Sequence, residues 1–275
     1  MAMARVLILS SLVAASRVGG GAQALALARL SIEPILVPTV LFGRHPGYGP
    51  PGGAPVDAQI FEAMIAGVEA QGLFAQLDAV ITGHFSTPEQ VAIAADTLGR
   101  IRLAAPAARL IVDPIMGDDG RLYVKEAVAD AITALLAPLA DIVTPNAWEL
   151  ARLSGRAVSD PLSAVAAARS LGRPVMVSSV WSGGEIGAAY VDGEEAWLAS
   201  HTPAQSVPKG TGDLLTVLFV ASLLGRYPPP AALELAVGGV AEAVAVTDGR
   251  GELPITALPA VIAPSSRVRL APIHG

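Results

Sequence analysis

Short β-branched runs, each closed by a turn, alternate with helix-like stretches over most of the chain. That alternation constrains the fold more than any other feature. A parallel neighbour can be reached only by a crossover, usually a helix, so the pattern predicts an α/β protein. Strands are expected at 5–9, 35–38, 79–82, 109–112, 142–144 and 175–178. The runs 187–191 and 195–199, on either side of Asp192-Gly193, predict an antiparallel hairpin with a two-residue turn. Helices are expected at 21–30, 57–71, 88–103, 125–135, 147–153, 161–170, 213–224 and 230–247. The prediction is a central, mostly parallel sheet flanked by helices on both faces, built as a single domain over 1–275.

Of 275 residues, 52% are hydrophobic and 15% charged, enough apolar material for a large core. The net charge of -6, without a basic run, argues against nucleic acid as a partner. Disulfides, thiolate zinc sites and thiol nucleophiles are excluded, since the chain has no Cys. His45, His84, His201 and His274 are too scattered for a histidine metal cluster. The stretch from Arg5 through Val6–Leu9 to Ala14-Ala15-Ser16 loosely resembles a secretory signal. Its apolar run is short, however, and is read as a first strand ending in a polar turn at Ser10-Ser11. No run reaches the ~18 apolar residues of a membrane helix, so a cytoplasmic protein is expected. Residues 43–55, dense in Gly and Pro, are expected to be a long loop, either a flap over a site or inert surface. The tail after Pro264 is weakly patterned and is expected to be partly loose.

Three motifs fall at strand ends, where open α/β sheets bind ligands. In the first, Lys209-Gly210-Thr211-Gly212-Asp213 runs directly into an apolar helix. A glycine turn there points free N–H groups along the positive end of the helix dipole, and it lets backbone approach a phosphate. Asp213 in that position can accept a hydroxyl proton, or can be an ordinary capping residue. In the second, Asp113 follows a buried strand in Val112-Asp113-Pro114-Ile115-Met116-Gly117; it can order water around a magnesium ion or simply end the strand in a turn. In the third, Thr144-Pro145-Asn146-Ala147-Trp148-Glu149 spaces Asn146 and Glu149 as a capping box, and the same residues offer hard oxygens to a hydrated cation. Trp148, Trp181 and Trp197 are read as packing residues, and Pro228-Pro229-Pro230 as the end of one helix and the start of the next.

In this order the motifs resemble the ribokinase-like superfamily, which carries a Gly-x-Gly-Asp turn. Within it the chain is most similar to pyridoxal kinases. That likeness rests on Ser11, the run Pro38-Thr39-Val40-Leu41-Phe42 with His45 and Tyr48-Gly49, and Thr82-Gly83-His84-Phe85, together with the three motifs. The resemblance implies an ATP-dependent kinase for the 5′-hydroxymethyl group of pyridoxal, pyridoxine or pyridoxamine. It implies that Ser11, Thr39, Val40, Leu41 and His84 surround the substrate, while His45 and Tyr48 belong to the flap. Asp113 and Glu149 would arrange Mg2+, and with Asn146, Ser178 and Lys209 they would face ATP. Gly210, Thr211 and Gly212 would form the anion hole and Asp213 the base. A homodimer and activation by a monovalent cation such as K+ are also implied. Three positions depart from the family: Leu12 where a His is usual, Gly20 for an Asn, and Ser178 for a Lys. They leave open a kinase for another hydroxymethyl heterocycle such as hydroxymethylpyrimidine, a sugar or nucleoside kinase, and a binding protein without catalysis.

Overall fold

The structure, a computed structural model, describes residues 3–247 and 251–274. In chain order it begins β1 (Arg5–Val13), α1 (Gly19–Arg29), β2 (Glu33–Phe42), β3 (Gly53–Pro55), α2 (Ala58–Ala70), β4 (Ala79–Thr82), α3 (Pro88–Ala104) and β5 (Arg109–Val112). A small hairpin, β6 (Gly117–Asp118) and β7 (Arg121–Leu122), leads to α4 (Glu126–Ala131), β8 (Ile142–Val143), α5 (Ala147–Ser154) and α6 (Pro161–Ser170). The remainder is β9 (Val175–Ser182), β10 (Glu185–Asp192), β11 (Glu195–His201), α7 (Thr211–Leu224), α8 (Pro229–Ala245) and β12 (Arg269–Pro272).

One ten-stranded sheet has the order β12-β11-β10-β9-β8-β5-β4-β1-β2-β3. Its centre, from β2 to β9, is parallel, and antiparallel pairs extend it at both edges. The predicted α/β class is therefore the one observed. Central strands are covered on both faces, which is why Val6–Leu9 and Val80-Ile81 are continuously apolar and fully buried. Alternate side chains serve the two faces. Val6, Ile8 and Ile81 pack with Leu214, Leu218 and Phe219 of α7 and with Leu233 of α8. Leu7, Leu9 and Val80 pack on the opposite side with Phe61, Val91, Leu98 and Val128. A third cluster seats Leu150, Ala164 and Ala168 against Val175, Val177 and Val191. Each large aliphatic or Phe side chain so buried contributes roughly 1.5–3 kcal/mol. α7 is buried along nearly its whole length from Leu214 to Leu223, as an apolar helix must be, which fixes the position of its N-terminus.

Several details correct the sequence expectations. Ser10-Ser11 is not a turn: β1 continues to Val13 past a bulge between Ser10 and Leu12, where its register on β2 shifts. The segment 43–55 is not a plain loop, because Gly53–Pro55 returns as a strand on Val40–Phe42. Arg269–Pro272 pairs with Trp197–Ser200, so part of the tail is an ordered edge strand. The helix expected to reach residue 135 changes at Ile132 into a π-helical turn. Trp148 and Trp197 pack against core clusters as expected, whereas Trp181 is half exposed. Among the described residues no helix is long and apolar enough to cross a membrane.

Candidate active site

Strand order reverses around β1, which has β2 on one side and β4 on the other. Ligands of open α/β sheets bind at the carboxyl ends of strands beside such a switch point. Buried polar side chains gather there in this chain: Ser10 and Ser11 on β1, Thr39 on β2, Thr82 on β4, Asp113 after β5, Thr144 after β8 and Thr216 on α7.

α7 starts at Thr211, with Gly210 as its cap in a left-handed conformation (φ 89°). A β-carbon at Gly210 would strike the carbonyl oxygen of Arg17, so close approach as well as φ requires glycine. No side chain caps this helix, which leaves the N–H groups of its first turn facing outward. Asp213 lies in that first turn. Its Oδ2 accepts from the Gly19 N–H at 2.8 Å, while its Oδ1 is buried without a partner. Burial pushes the Asp213 carboxyl up to about 6 against the lowering effect of the Gly19 bond.

One turn along α7, the Thr216 hydroxyl donates to Asp113 Oδ2 at 2.8 Å and stands 3.2 Å from Thr144 Oγ1. Asp113 is held well above the usual carboxylate range, first by burial and then by the charges of Glu149 and Asp213. Asn146 and Glu149 form the capping box of α5, as their spacing predicted. Glu149 Oε1 also accepts from Met116 N (2.6 Å) and Gly117 N (3.2 Å), while Oε2 accepts from Asn146 N (2.9 Å). Both of its oxygens are thus engaged by backbone, yet burial still pushes the group up to about 7. Asn146 Nδ2 donates to the Gly117 carbonyl at 2.8 Å, tying α5 to the β6–β7 hairpin. Ser178 is bridged to Asn146, with its N–H on the Pro145 carbonyl at 2.9 Å.

On the β2 side, the Thr39 hydroxyl donates to the His84 carbonyl at 2.6 Å. The Gln90 amide donates to the Thr39 and Val56 carbonyls at 2.9 and 2.7 Å, locking β2 to the segment that follows β3. Burial lowers His84 to about 4, so its ring is neutral at physiological pH. Val40 and Leu41 are neighbours on β2 and differ in burial. Adjacent strand residues point to opposite sides, and Val40 is fully buried while Leu41 is half exposed. The flap carries His45 and Tyr48 in an edge-on pair with ring centroids 5.9 Å apart. His45 is lowered by burial and then by the charge of Lys209, which brings the flap and the residue before the glycine turn together. Leu12 pairs with Leu41 across β1 and β2, and Gly20 lies in the first turn of α1.

The sequence reading missed Asp118, Thr216 and Gly19. Asp118, on the β6–β7 hairpin, is raised by burial and feels Lys209. Thr216 was discoverable, because three residues after Asp213 on a helix is the same face. Gly19 acts through its backbone alone, and no residue type signals that.

The sequence profile described as phosphomethylpyrimidine kinase matches residues 52–256. A pyridoxine/pyridoxal/pyridoxamine kinase of Bordetella avium is 34% identical over 251 residues, covering 88% of this chain and 85% of that protein. A pyridoxal kinase of Deinococcus radiodurans is 33% identical over 250 residues, covering 86% and 84%. Among solved structures, the pyridoxal kinase of Entamoeba histolytica superposes with a TM-score of 0.92 at 25% identity, covering 99% of this chain and 100% of that one. That of Leishmania donovani in complex with ADP and pyridoxine gives 0.90 at 28% identity, covering 98% and 99%. With the profile spanning most of the chain and relatives matching nearly end to end, the chain belongs to the phosphomethylpyrimidine kinase family, in which its relatives named here are pyridoxal kinases.

Proposed function

We propose that the protein is an ATP-dependent pyridoxal kinase that phosphorylates the 5′-hydroxymethyl group of pyridoxal, pyridoxine or pyridoxamine, with Asp213 as base. The observation that carries the assignment is the division of labour on Asp213. One oxygen is fixed by Gly19 N–H, and the other is buried and unpartnered at the head of α7. A carboxylate held in this way is oriented to take one proton from a bound alcohol.

In the proposed reaction Oδ1 of Asp213 accepts the hydroxyl proton as the substrate oxygen attacks the γ-phosphorus in line. The bond from that phosphorus to the β-γ bridging oxygen breaks, and ADP leaves. The N–H groups of Gly210, Thr211 and Gly212 hold the charge that accumulates on the transferred phosphoryl group. Ser11, Thr39, Val40, Leu41 and His84 bound the alcohol, with Thr39 and His84 acting mainly by fixing each other. His45 and Tyr48 cover it. Asn146, Ser178 and Lys209 face the nucleotide, Lys209 as the cation among them.

The acidic residues suit a magnesium ion. Asp113 and Glu149 are both buried and both raised. Asp113 is raised first by burial and then by the charges of Glu149 and Asp213, Glu149 first by burial with Asp118 adding to it, so a cation between them would be favourable. Among the described residues no cage of three or more metal-binding side chains exists, and Mg2+ needs none when water and phosphate complete its shell. Asp113 would hold the ion most directly, and Glu149, whose oxygens already accept backbone N–H groups, would act on a hydrated ion through its charge. When bound, the ion neutralises phosphate charge. A homodimer, K+ activation, a cytoplasmic location and one kinase domain over 1–275 complete the proposal, the last supported by the continuous sheet.

A hydroxymethylpyrimidine kinase is the second candidate, favoured by the family profile. Coupled measurement of ADP release with each B6 vitamer and with hydroxymethylpyrimidine separates the two. Turnover with a vitamer is expected. No turnover with any vitamer, by folded and magnesium-supplied protein, overturns the assignment. Asp213→Asn is expected to lower kcat by roughly 10²–10⁴ with nucleotide binding kept. Near wild-type turnover would remove Asp213 as the base.

A further inference from the structure

The β1–α1 connection, residues 14–18, lies against the flap and the glycine turn and leads into the residue that holds Asp213. Ser16 Oγ accepts from the His45 N–H of the flap at 3.3 Å. The Arg17 carbonyl lies against Gly210, close enough to forbid a β-carbon there. Two residues on, Gly19 N–H holds Asp213. The anchor of this peptide comes from far along the chain. Arg17 N donates at 2.7 Å to Oε2 of Glu252, in the segment after α8. Val18, the N-cap of α1, makes no side-chain cap bond; the start of the connection is tied to β2 and the flap by Ala14 N and Ala15 N on the Phe42 and Gly43 carbonyls, and Glu252 is the side chain that holds the Arg17 N–H. A charged acceptor for a backbone N–H gives a strong and directional bond. Glu252 is also close enough to His45 to oppose the effect of Lys209 on it.

We propose that Glu252 is a positioning residue: by clamping the Arg17 amide it fixes the peptide that sets Asp213 through Gly19 and the glycine turn through the Arg17 carbonyl. This rests on the assignment of Asp213 as base. Tilting the 17–19 peptide displaces the base and the anion hole together. A displacement near 1 Å at reacting groups costs about 10²-fold in rate.

The test compares Glu252→Ala, Glu252→Asp and Glu252→Gln in the full chain, by steady-state kinetics with Mg-ATP and pyridoxal and by amide hydrogen exchange over residues 14–20. Gln keeps an oxygen for Arg17 N–H, Asp falls one methylene short of it, and Ala has none. Glu252→Ala is expected to lower kcat roughly 10- to 100-fold with both KM values within about threefold, and to speed exchange over 14–20. Glu252→Gln should restore most of both, with Asp between. If Ala prevents folding, the Asp variant at a normal melting temperature carries the comparison. Unchanged exchange over 14–20 in the Ala or Asp variant overturns the clamp. Altered exchange with unchanged kcat, or a rise in KM alone, overturns its role in positioning. Absence of turnover in the wild type would sink the kinase assignment instead, while exchange would still decide whether the clamp exists.

Discussion

Asp213 sets two measurable properties of single-residue scale. Its carboxyl, pushed by burial from 3.8 to about 6, must be ionised to act as base. On the proposed mechanism kcat/KM therefore falls about tenfold per pH unit below that midpoint. An acid limb that persists unchanged in Asp213→Asn would show that another group sets it. The same shift makes a stability prediction. Between 3.8 and about 6 the folded state binds the proton more tightly than the unfolded chain does, so stability declines as pH rises through that window. Above it the fold carries the full penalty of a buried charge, on the order of 3 kcal/mol for about two pK units. Asp213→Asn should thus raise Tm by roughly 5 °C at pH 8 and leave it nearly unchanged at pH 4. Equal effects at both pH values would show that the gain comes from something other than the buried charge. Asp213, Asn146 and Glu149 were legible in the sequence because their signals are local: a glycine turn before an apolar run, and a capping box at its fixed spacing. Glu252 was not, because its partner Arg17 lies 235 residues away and offers only a backbone N–H.

Among elements, those with a period were legible and those at the sheet edges were not. The central strands announce themselves by unbroken apolar runs, since burial on both faces demands it. β3 has three residues, all exposed, and β12 has four, of which two are exposed, too few to show alternation, and Gly and Pro in β3 hide it further. The bulge in β1 is invisible for another reason: register is set by β2, not by β1 itself. β3 nevertheless closes the flap onto β2, and Gly53 is its weak point. Its φ is +89°, and a β-carbon there would meet the Leu41 carbonyl. Gly53→Ala should cost about 1–3 kcal/mol locally and unzip β3 from Val40–Phe42. Cleavage by trypsin after Arg44 is then expected to accelerate several-fold, with little change in global Tm. If Arg44 stays as resistant as in the wild type, the flap is not held by this strand pair.

At the scale of the whole molecule, the site is assembled from sequence-distant parts. Asp113 follows β5, Asp213 opens α7, Gly19 opens α1, and all are carried by one sheet with cores on both faces. The predicted alternation of strands and helices contained this architecture, but not the distances between its loops. A ligand that joins those loops stabilises the folded state alone, by RT ln(1 + [L]/Kd), which is about 2.7 kcal/mol at a hundredfold excess over Kd. Mg-ADP at that excess should raise Tm by roughly 5 °C, and the whole sheet should melt in a single shifted transition. Chelating Mg2+ at constant ADP should remove most of the gain, because the buried charges of Asp113 and Glu149 then face the phosphates uncompensated. Differential scanning calorimetry distinguishes the outcomes. A shift indifferent to chelation would place the nucleotide away from the carboxylates, and two transitions with only one moved by ligand would mean that α7 and β5 do not unfold as one unit.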